Sequence, residues 1–162
     1  MVRRGLGTLS DATRRNRFFS AISEFSDDMV RRLTHYDPQR ELALLVVRVD
    51  DGREAPVGGG RLVVRDDRVS SEFSLLVGDG WQGQGIGARL LDALIAEGRR
   101  RGLHCIDGLV YTDNRGMLRL ARAFGFQVTD SSEGPAVRLV RLELGDSGTH
   151  HRLWQRFRLG GS

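Results

Sequence analysis

The sequence predicts an α/β fold in which a mixed, mostly antiparallel sheet is flanked by helices. Three observations lead to this prediction. Several apolar, β-branched segments of strand length follow one another, a long amphipathic segment comes after them, and shorter strand and helix patterns complete the chain. An antiparallel meander joined to later strands by a crossover helix is typical of a mixed sheet.

The first half of the chain supplies an expected helix-rich start and three strands. Residues up to about Leu33 favour helix, with 26–28 as an N-cap for residues 29–33. Segments 41–49 and 57–64 are apolar and β-branched, and the second begins with three glycines. Asp66 and Asp67 then turn the chain into segment 71–77. These segments form the predicted meander.

The second half alternates helices with strands. Apolar residues recur at helical spacing from Ile86 to Ile95, and Gly102 provides a stop after three arginines. Segment 104–111 is a predicted strand, and a short helix follows at 115–123. Segment 137–144 alternates apolar and charged residues, as a half-buried strand does.

The join between segment 71–77 and the long helix reads Trp-Gln-Gly-Gln-Gly-Ile-Gly, residues 81–87, and it predicts an anion site. Alternate glycines let the backbone approach a ligand, and the helix that begins there aims unpaired N–H groups at it. A P-loop is excluded because the chain contains no lysine, and the spacing differs from that of a dinucleotide-binding fingerprint. A ligand with a pyrophosphate is therefore expected.

The pattern Gln82-x-x-Gly85-x-Gly87 resembles the cofactor loop of GNAT superfamily N-acetyltransferases, and Asn114 with the later Phe124-Gly125-Phe126 resembles that family's second motif. The resemblance implies the GNAT fold, acetyl-CoA as co-substrate, and no metal. It also implies that the strand before the loop splays from its neighbour and holds the pantetheine arm. The implied cofactor-binding residues are Leu75, Leu76, Val77, Gln82, Gly83, Gln84, Gly85, Ile86, Gly87, Asn114 and Met117.

Glu72 is the predicted general base. An amine such as lysine is mostly protonated at neutral pH, so acetyl transfer requires a group that removes a proton. Glu72 precedes the cofactor loop by ten residues, and the apolar residues 73–77 are expected to desolvate its carboxylate and raise its pKa. An exposed or ion-paired strand glutamate is the alternative interpretation, and the family resemblance favours the catalytic role. The tyrosine that many relatives use as an acid is replaced by Ala121.

A finer resemblance, across roughly residues 9–144, is to the acetyltransferase domain of Pat-type bacterial protein lysine acetyltransferases. It implies a protein lysine as acceptor, for example on an acyl-CoA synthetase. His35, Tyr36 and Asp37 are candidate acceptor-binding residues, although a polar turn before a strand explains them as well. A small amine, such as a polyamine, an aminoglycoside or an amino acid, is the alternative acceptor. A catalytically silent acyl-CoA-binding module is the alternative from another class.

Length and composition limit the remaining function classes. The 162 residues suit one domain, here 1–145, followed by a basic and aromatic tail at 146–162. All 25 basic residues are arginine, but the net charge of +4 and their scattered positions argue against nucleic acid. No segment approaches the roughly 18 apolar residues of a membrane span, and the lone Cys105 fits a cytoplasmic protein.

Few residues precede the first matching position, Leu9. Either the protein begins upstream, or the sheet lacks the usual first strand. In the second case a sheet edge is left that a partner subunit in a homodimer would cover. The tail is interpreted as a flexible end, with a role in covering that edge as the alternative.

Overall fold

The computed structural model describes residues 37–145, which form an open sheet with two helices on one face. The bounds of its elements, in chain order, are β1 Glu41–Asp50, β2 Arg53–Val64, β3 Ser70–Val77, α1 Ile86–Arg100, β4 Cys105–Tyr111, α2 Arg115–Ala123, β5 Gln127–Asp130 and β6 Val137–Glu143. A 3-10 turn at Asp79–Trp81 leads from β3 toward α1.

The six described strands lie in the order β1-β2-β3-β4-β6-β5. All neighbours are antiparallel except β3 and β4, which are parallel and are connected through α1. Such a crossover is what a parallel pair requires, because a short turn cannot return the chain to the same end. The predicted mixed, mostly antiparallel α/β sheet is thereby confirmed.

Two strands differ from the sequence prediction. β2 begins at Arg53, four residues earlier than expected, and its ladder with β1 shifts register between Val46 and Val47. Pro56 lies at this irregularity, where a proline is tolerated because the ladder is already interrupted. β5 was not predicted at all, since its four residues are too short and polar for a periodicity to show.

The core lies between the sheet and the helices. Leu91 and Leu94 of α1 are fully buried, as are Leu62 of β2, Ile106 of β4 and Val140 of β6. The apolar stripe of α1 predicted from the sequence is therefore the face that packs on the sheet. Of the described helices, none is long and apolar enough to cross a membrane.

The C-terminal turn of α1 contains a cluster of ion pairs around Glu97. Its carboxylate accepts from Nε of Arg100 at 2.7 Å and from Nε of Arg101 at 2.7 Å. These hydrogen bonds, that from Arg100 first, lower the pKa of Glu97 from 4.5 to about 2. Because the pKa of Glu97 is lower in the folded than in the unfolded chain, its ion pairs stabilise the fold above about pH 4.5. This stabilisation is lost as the pH falls toward 2.

We expect Glu97→Gln to flatten the acid limb of the stability curve. The variant lacks the carboxylate whose protonation weakens the fold, so its Tm should fall less than that of the wild type between about pH 4.5 and about pH 2. Thermal melts over this range measure the difference. Parallel curves for the two proteins would contradict the assignment.

The residues before 37 and after 145 lie outside the described part of the chain. The expected helix at 29–33, the question of a missing first strand and the tail at 146–162 all fall there, and so do His35 and Tyr36.

Candidate functional site

A slot opens between β3 and β4 because these strands pair over only three positions. Ser70, Ser71 and Glu72 pair with Cys105, Ile106 and Asp107. Beyond them β3 continues to pair with β2 as far as Val77, whereas no ladder between residues 37 and 145 joins its other edge. The backbone groups of residues 73–77 on that edge are therefore available to a ligand, as the predicted splay requires.

The cofactor loop closes the wide end of the slot. Gly83 and Gly85 have φ values of 76° and 83°, in the left-handed region where a side chain is strained. This conformation turns the chain into α1, whose N-cap is Gly85, with no side chain capping its first turn. The first backbone N–H groups of a helix have no partner within it and favour an anion.

We expect Gly85→Ala to weaken binding of CoA and to lower stability by about 1 kcal/mol, because an L-residue is strained at this backbone angle. Calorimetric titration with CoA and urea unfolding measure the two effects. Gly80→Ala is the matched control, since a Cβ built at Gly80 meets nothing within 4 Å. Equal affinities for the two variants would show that the loop conformation does not hold the ligand.

The glutamine side chains of the loop bind the backbone of the segment that leads into it. Nε2 of Gln82 donates to the carbonyl of Val77 at 3.2 Å, and Nε2 of Gln84 donates to that of Gly80 at 3.4 Å. Both side chains are exposed. These contacts stabilise the loop's shape and leave direct contact of either glutamine with the cofactor as a prediction.

Helix α2 forms the second wall of the slot. Oδ1 of Asn114 accepts from the backbone N–H of Met117 at 3.1 Å and caps the helix. A Cβ on Gly87 would lie 3.5 Å from Cδ2 of Leu120 and 3.8 Å from Cγ2 of Val77, so α2 closely approaches the start of α1. Ala121 is fully buried in the core, and its methyl group offers no proton to a leaving thiolate.

Glu72 lies on the sheet face opposite the helices. Alternation along β3 directs the neighbouring Phe73 and Leu75 toward α1, and the Glu72 side chain is 59% exposed. The predicted desolvation of Glu72 by residues 73–77 is therefore wrong, because those side chains point to the other face or lie farther along the strand. Glu72 lies in β3 beside the narrow end of the slot, and its role as general base stays a prediction.

An ion pair with a buried carboxylate and a partly exposed arginine lies next to Glu72. Asp107, 6% exposed, accepts from Nη1 of Arg65 at 2.9 Å and from Nη2 at 2.5 Å. The hydrogen bond with Asp107 raises the pKa of Arg65, which therefore stays charged. Nη2 of Arg65 also lies 3.6 Å from Oε2 of Glu72. Arg65 is thus held by Asp107 in a position beside Glu72.

These three residues line one side of a cleft of about 200 Å³, and the loop between β5 and β6 lines the other. On that side lie Asp130, the last residue of β5, and Ser131, Ser132 and Glu133 of the loop. Carboxylates outnumber cations along the cleft, which favours a positively charged ligand. The sequence analysis missed both Asp107 and this loop, although a charged residue within the apolar segment 104–111 was a visible signal.

Asp37 is the one candidate acceptor-binding residue that lies within the described part of the chain. The carboxylate of Asp37 accepts a hydrogen bond from the Gln39 N–H at 3.0 Å, and its carbonyl accepts one from the Glu41 N–H at 2.7 Å. These bonds form the polar turn of the alternative interpretation.

Cys105 is buried, and burial raises the pKa of its thiol, which disfavours a nucleophilic role. No group of three His, Cys, Asp or Glu side chains among residues 37–145 could hold a metal ion.

Comparison with known families gives a match over most of the chain. A model of the acetyltransferase (GNAT) family matches residues 10–126. Acetyltransferase PA5475 of Pseudomonas aeruginosa is 32% identical over 124 residues, which cover 76% of this chain and 67% of that protein.

Two further similarities are more limited. The L-methionine sulfoximine/L-methionine sulfone acetyltransferase of Salmonella typhimurium is 39% identical over 74 residues, which are 46% of this chain and 43% of that protein. The crystal structure of the GNAT domain of S. lividans PAT superposes with a TM-score of 0.72 at 23% identity, covering 85% of this chain and 80% of that one. The latter similarity is one of fold.

Proposed function

This chain belongs to the GNAT acetyltransferase family, and from that premise we propose that it transfers the acetyl group of acetyl-CoA to the side-chain amine of a protein lysine. Acetyl-CoA-dependent N-acetyl transfer follows from the family. The position of Glu72, exposed on the sheet face opposite the two described helices and beside the end of the β3–β4 slot, carries the finer proposal.

The residues of the slot suit acetyl-CoA. The pyrophosphate would bind at the N-terminus of α1, where Gly83 and Gly85 shape the loop. The pantetheine amides would pair with the open backbone edge of residues 73–77, and a backbone N–H on that edge would stabilise the charge that develops on the thioester oxygen. Acetyl-CoA supplies an activated acyl group whose thiolate is a good leaving group.

Glu72 is proposed to remove the proton from the acceptor amine. This proton passes from the ammonium group to Glu72 directly or through water, and the neutral nitrogen then forms a bond to the carbonyl carbon. When the adduct collapses, the carbon–sulfur bond breaks and the CoA thiolate takes up, through water, the proton that the attacking nitrogen gives off. Both oxygens of Asp107 already accept from Arg65, so this second carboxylate anchors the arginine. Glu72, with only a 3.6 Å contact to Arg65, is better placed to accept a proton.

A lysine side chain is favoured as acceptor by the shape and charge of the cleft. Glu72 is mostly exposed at the cleft, so an amine on the surface of another protein can reach it. Asp130 and Glu133 add negative charge that attracts a protonated amine before it loses its proton. The fold similarity to the GNAT domain of S. lividans PAT is compatible with such an acceptor.

A small amine is the second candidate, and one observation favours it. The similarity over 74 residues is to an enzyme whose name gives methionine sulfoximine and methionine sulfone as substrates. A cleft of about 200 Å³ has room for an amino acid of that size. The carboxylates of the cleft would then bind the substrate ammonium group.

The test measures thiol release from acetyl-CoA by the purified full chain. Its acceptors are a panel of acyl-CoA synthetases, polyamines, aminoglycosides and amino acid sulfoximines, and mass spectrometry locates the acetyl group. Acetylation of a synthetase lysine with faster turnover than any small amine is the expected result. Turnover with small amines alone would overturn the lysine proposal, and acetyl-CoA binding without any turnover would indicate a binding module.

A further inference from the structure

The narrow end of the slot is closed by Phe73 lying against Gly108. These two residues come directly after Glu72 and Asp107, the last pair in the β3–β4 ladder. A Cβ built on Gly108 would lie 2.9 Å from Cε1 of Phe73 and 3.2 Å from its carbonyl oxygen. The Phe73 ring therefore occupies the space that a side chain at position 108 would need.

The Phe73 ring is held in position by the core residue Phe126. Phe73 is 6% exposed, and its ring packs on that of Phe126 with a centroid distance of 5.4 Å and an interplanar angle of 59°. Phe126 is itself buried, in the turn between α2 and β5. A tilted aromatic pair within a packed core resists displacement. The closed end of the slot is thus a rigid wall.

The direction of the slot places the reacting group at this wall. The cofactor loop follows Val77, and four residues of extended strand from Val77 to Phe73 span about 13 Å. A ligand anchored by its pyrophosphate at the loop and paired along β3 would point its far end toward Phe73. Glu72, the proposed base, lies at the same end but on the opposite face.

We infer that Phe73, packed on Gly108, limits the length of the acyl chain that the slot accepts and makes acetyl-CoA the preferred donor. This inference rests on the proposed function, since it assumes that the acyl-CoA lies in the slot. Phe73 contacts the acyl group, and Gly108 acts by allowing the ring its position. A smaller side chain at position 73 should make room for longer acyl chains. A side chain at position 108 should push the Phe73 ring into the slot and exclude even the acetyl group.

The experiment measures the affinity of acetyl-, propionyl-, butyryl- and hexanoyl-CoA by calorimetry, with free CoA as the reference and no acceptor present. For the wild type, affinity relative to CoA should fall as the chain lengthens. Phe73→Leu should shift the ratio of butyryl-CoA to acetyl-CoA affinity by about 10-fold toward butyryl-CoA, since one or two methylenes in a tight pocket have an effect of this size. Gly108→Ala should reduce acetyl-CoA affinity below that of CoA.

Leu91→Ala is the control for a general loss of core packing, because Leu91 is fully buried in α1. Its order of acyl-CoA affinities should remain that of the wild type. An unchanged order in Phe73→Leu, in a variant that still binds CoA and melts cooperatively, would overturn the inference. If no amine is acetylated in the thiol-release test while the affinities follow the expected order, only the proposed function is overturned. Absence of all CoA binding would overturn both the proposed function and this inference.

Discussion

Replacing Glu72 by glutamine is expected to lower kcat for acetyl transfer by about 10²–10⁴-fold, the usual effect of losing a general base. Glutamine keeps the size of the side chain and cannot accept the amine proton. Because Glu72 is 59% exposed and lies on the face opposite the helices, stability and affinity for acetyl-CoA should stay close to those of the wild type. Steady-state thiol release and calorimetry measure the two quantities.

Glu143→Gln is the control for this prediction. Glu143 is also an exposed strand glutamate, and its carboxylate pairs with Nε of Arg141 at 2.7 Å as Glu72 pairs with Arg65. The control should retain wild-type turnover. Full activity in Glu72→Gln, or an equal loss in both variants, would remove Glu72 from the role of base.

Asp107→Ala is expected to destabilise the fold by about 2 kcal/mol, since it removes the charge-assisted hydrogen bonds between Arg65 and an almost fully buried carboxylate. Asp107 is almost fully buried and accepts both guanidinium hydrogen bonds of Arg65. The released arginine would also lose its fixed position beside Glu72. We therefore expect lower kcat in addition to the shift in the urea midpoint.

Asp130→Ala tests whether the loss of stability expected for Asp107→Ala depends on the burial of the Asp107 carboxylate. Asp130 pairs with Arg138 at 3.0 Å, but its side chain is 94% exposed. An exposed pair of this kind contributes at most about 1 kcal/mol, so the urea midpoint should hardly move. Similar destabilisation by the two substitutions would show that the Arg65–Asp107 pair has no special structural role.

Local features of the chain were predictable from the sequence. The left-handed backbone of Gly83 and Gly85 is needed wherever a strand turns this abruptly into a helix, and glycine is the residue that adopts it without strain. The apolar stripe of α1 and the alternation of β6 depend only on residues a few positions apart. For these elements, each residue's neighbours in the chain are also its neighbours in the fold.

The face on which Glu72 lies was also visible in the sequence, although the desolvation prediction overlooked it. Strand alternation separates Glu72 from Phe73 and Leu75, and it predicts an exposed carboxylate as soon as one face of the strand is buried.

The composition of the site was decided by tertiary structure. Arg65 and Asp107 are 42 positions apart, and they meet only because β3 and β4 pair after the α1 crossover. The same pairing ends at Glu72, so the slot and its closure by Phe73 on Gly108 depend on how the two strands diverge. Sequence alone therefore predicted the left-handed turn of the candidate cofactor loop, since its shape is local. The walls of the acceptor cleft and the closed end of the slot required the packing of segments distant in the chain.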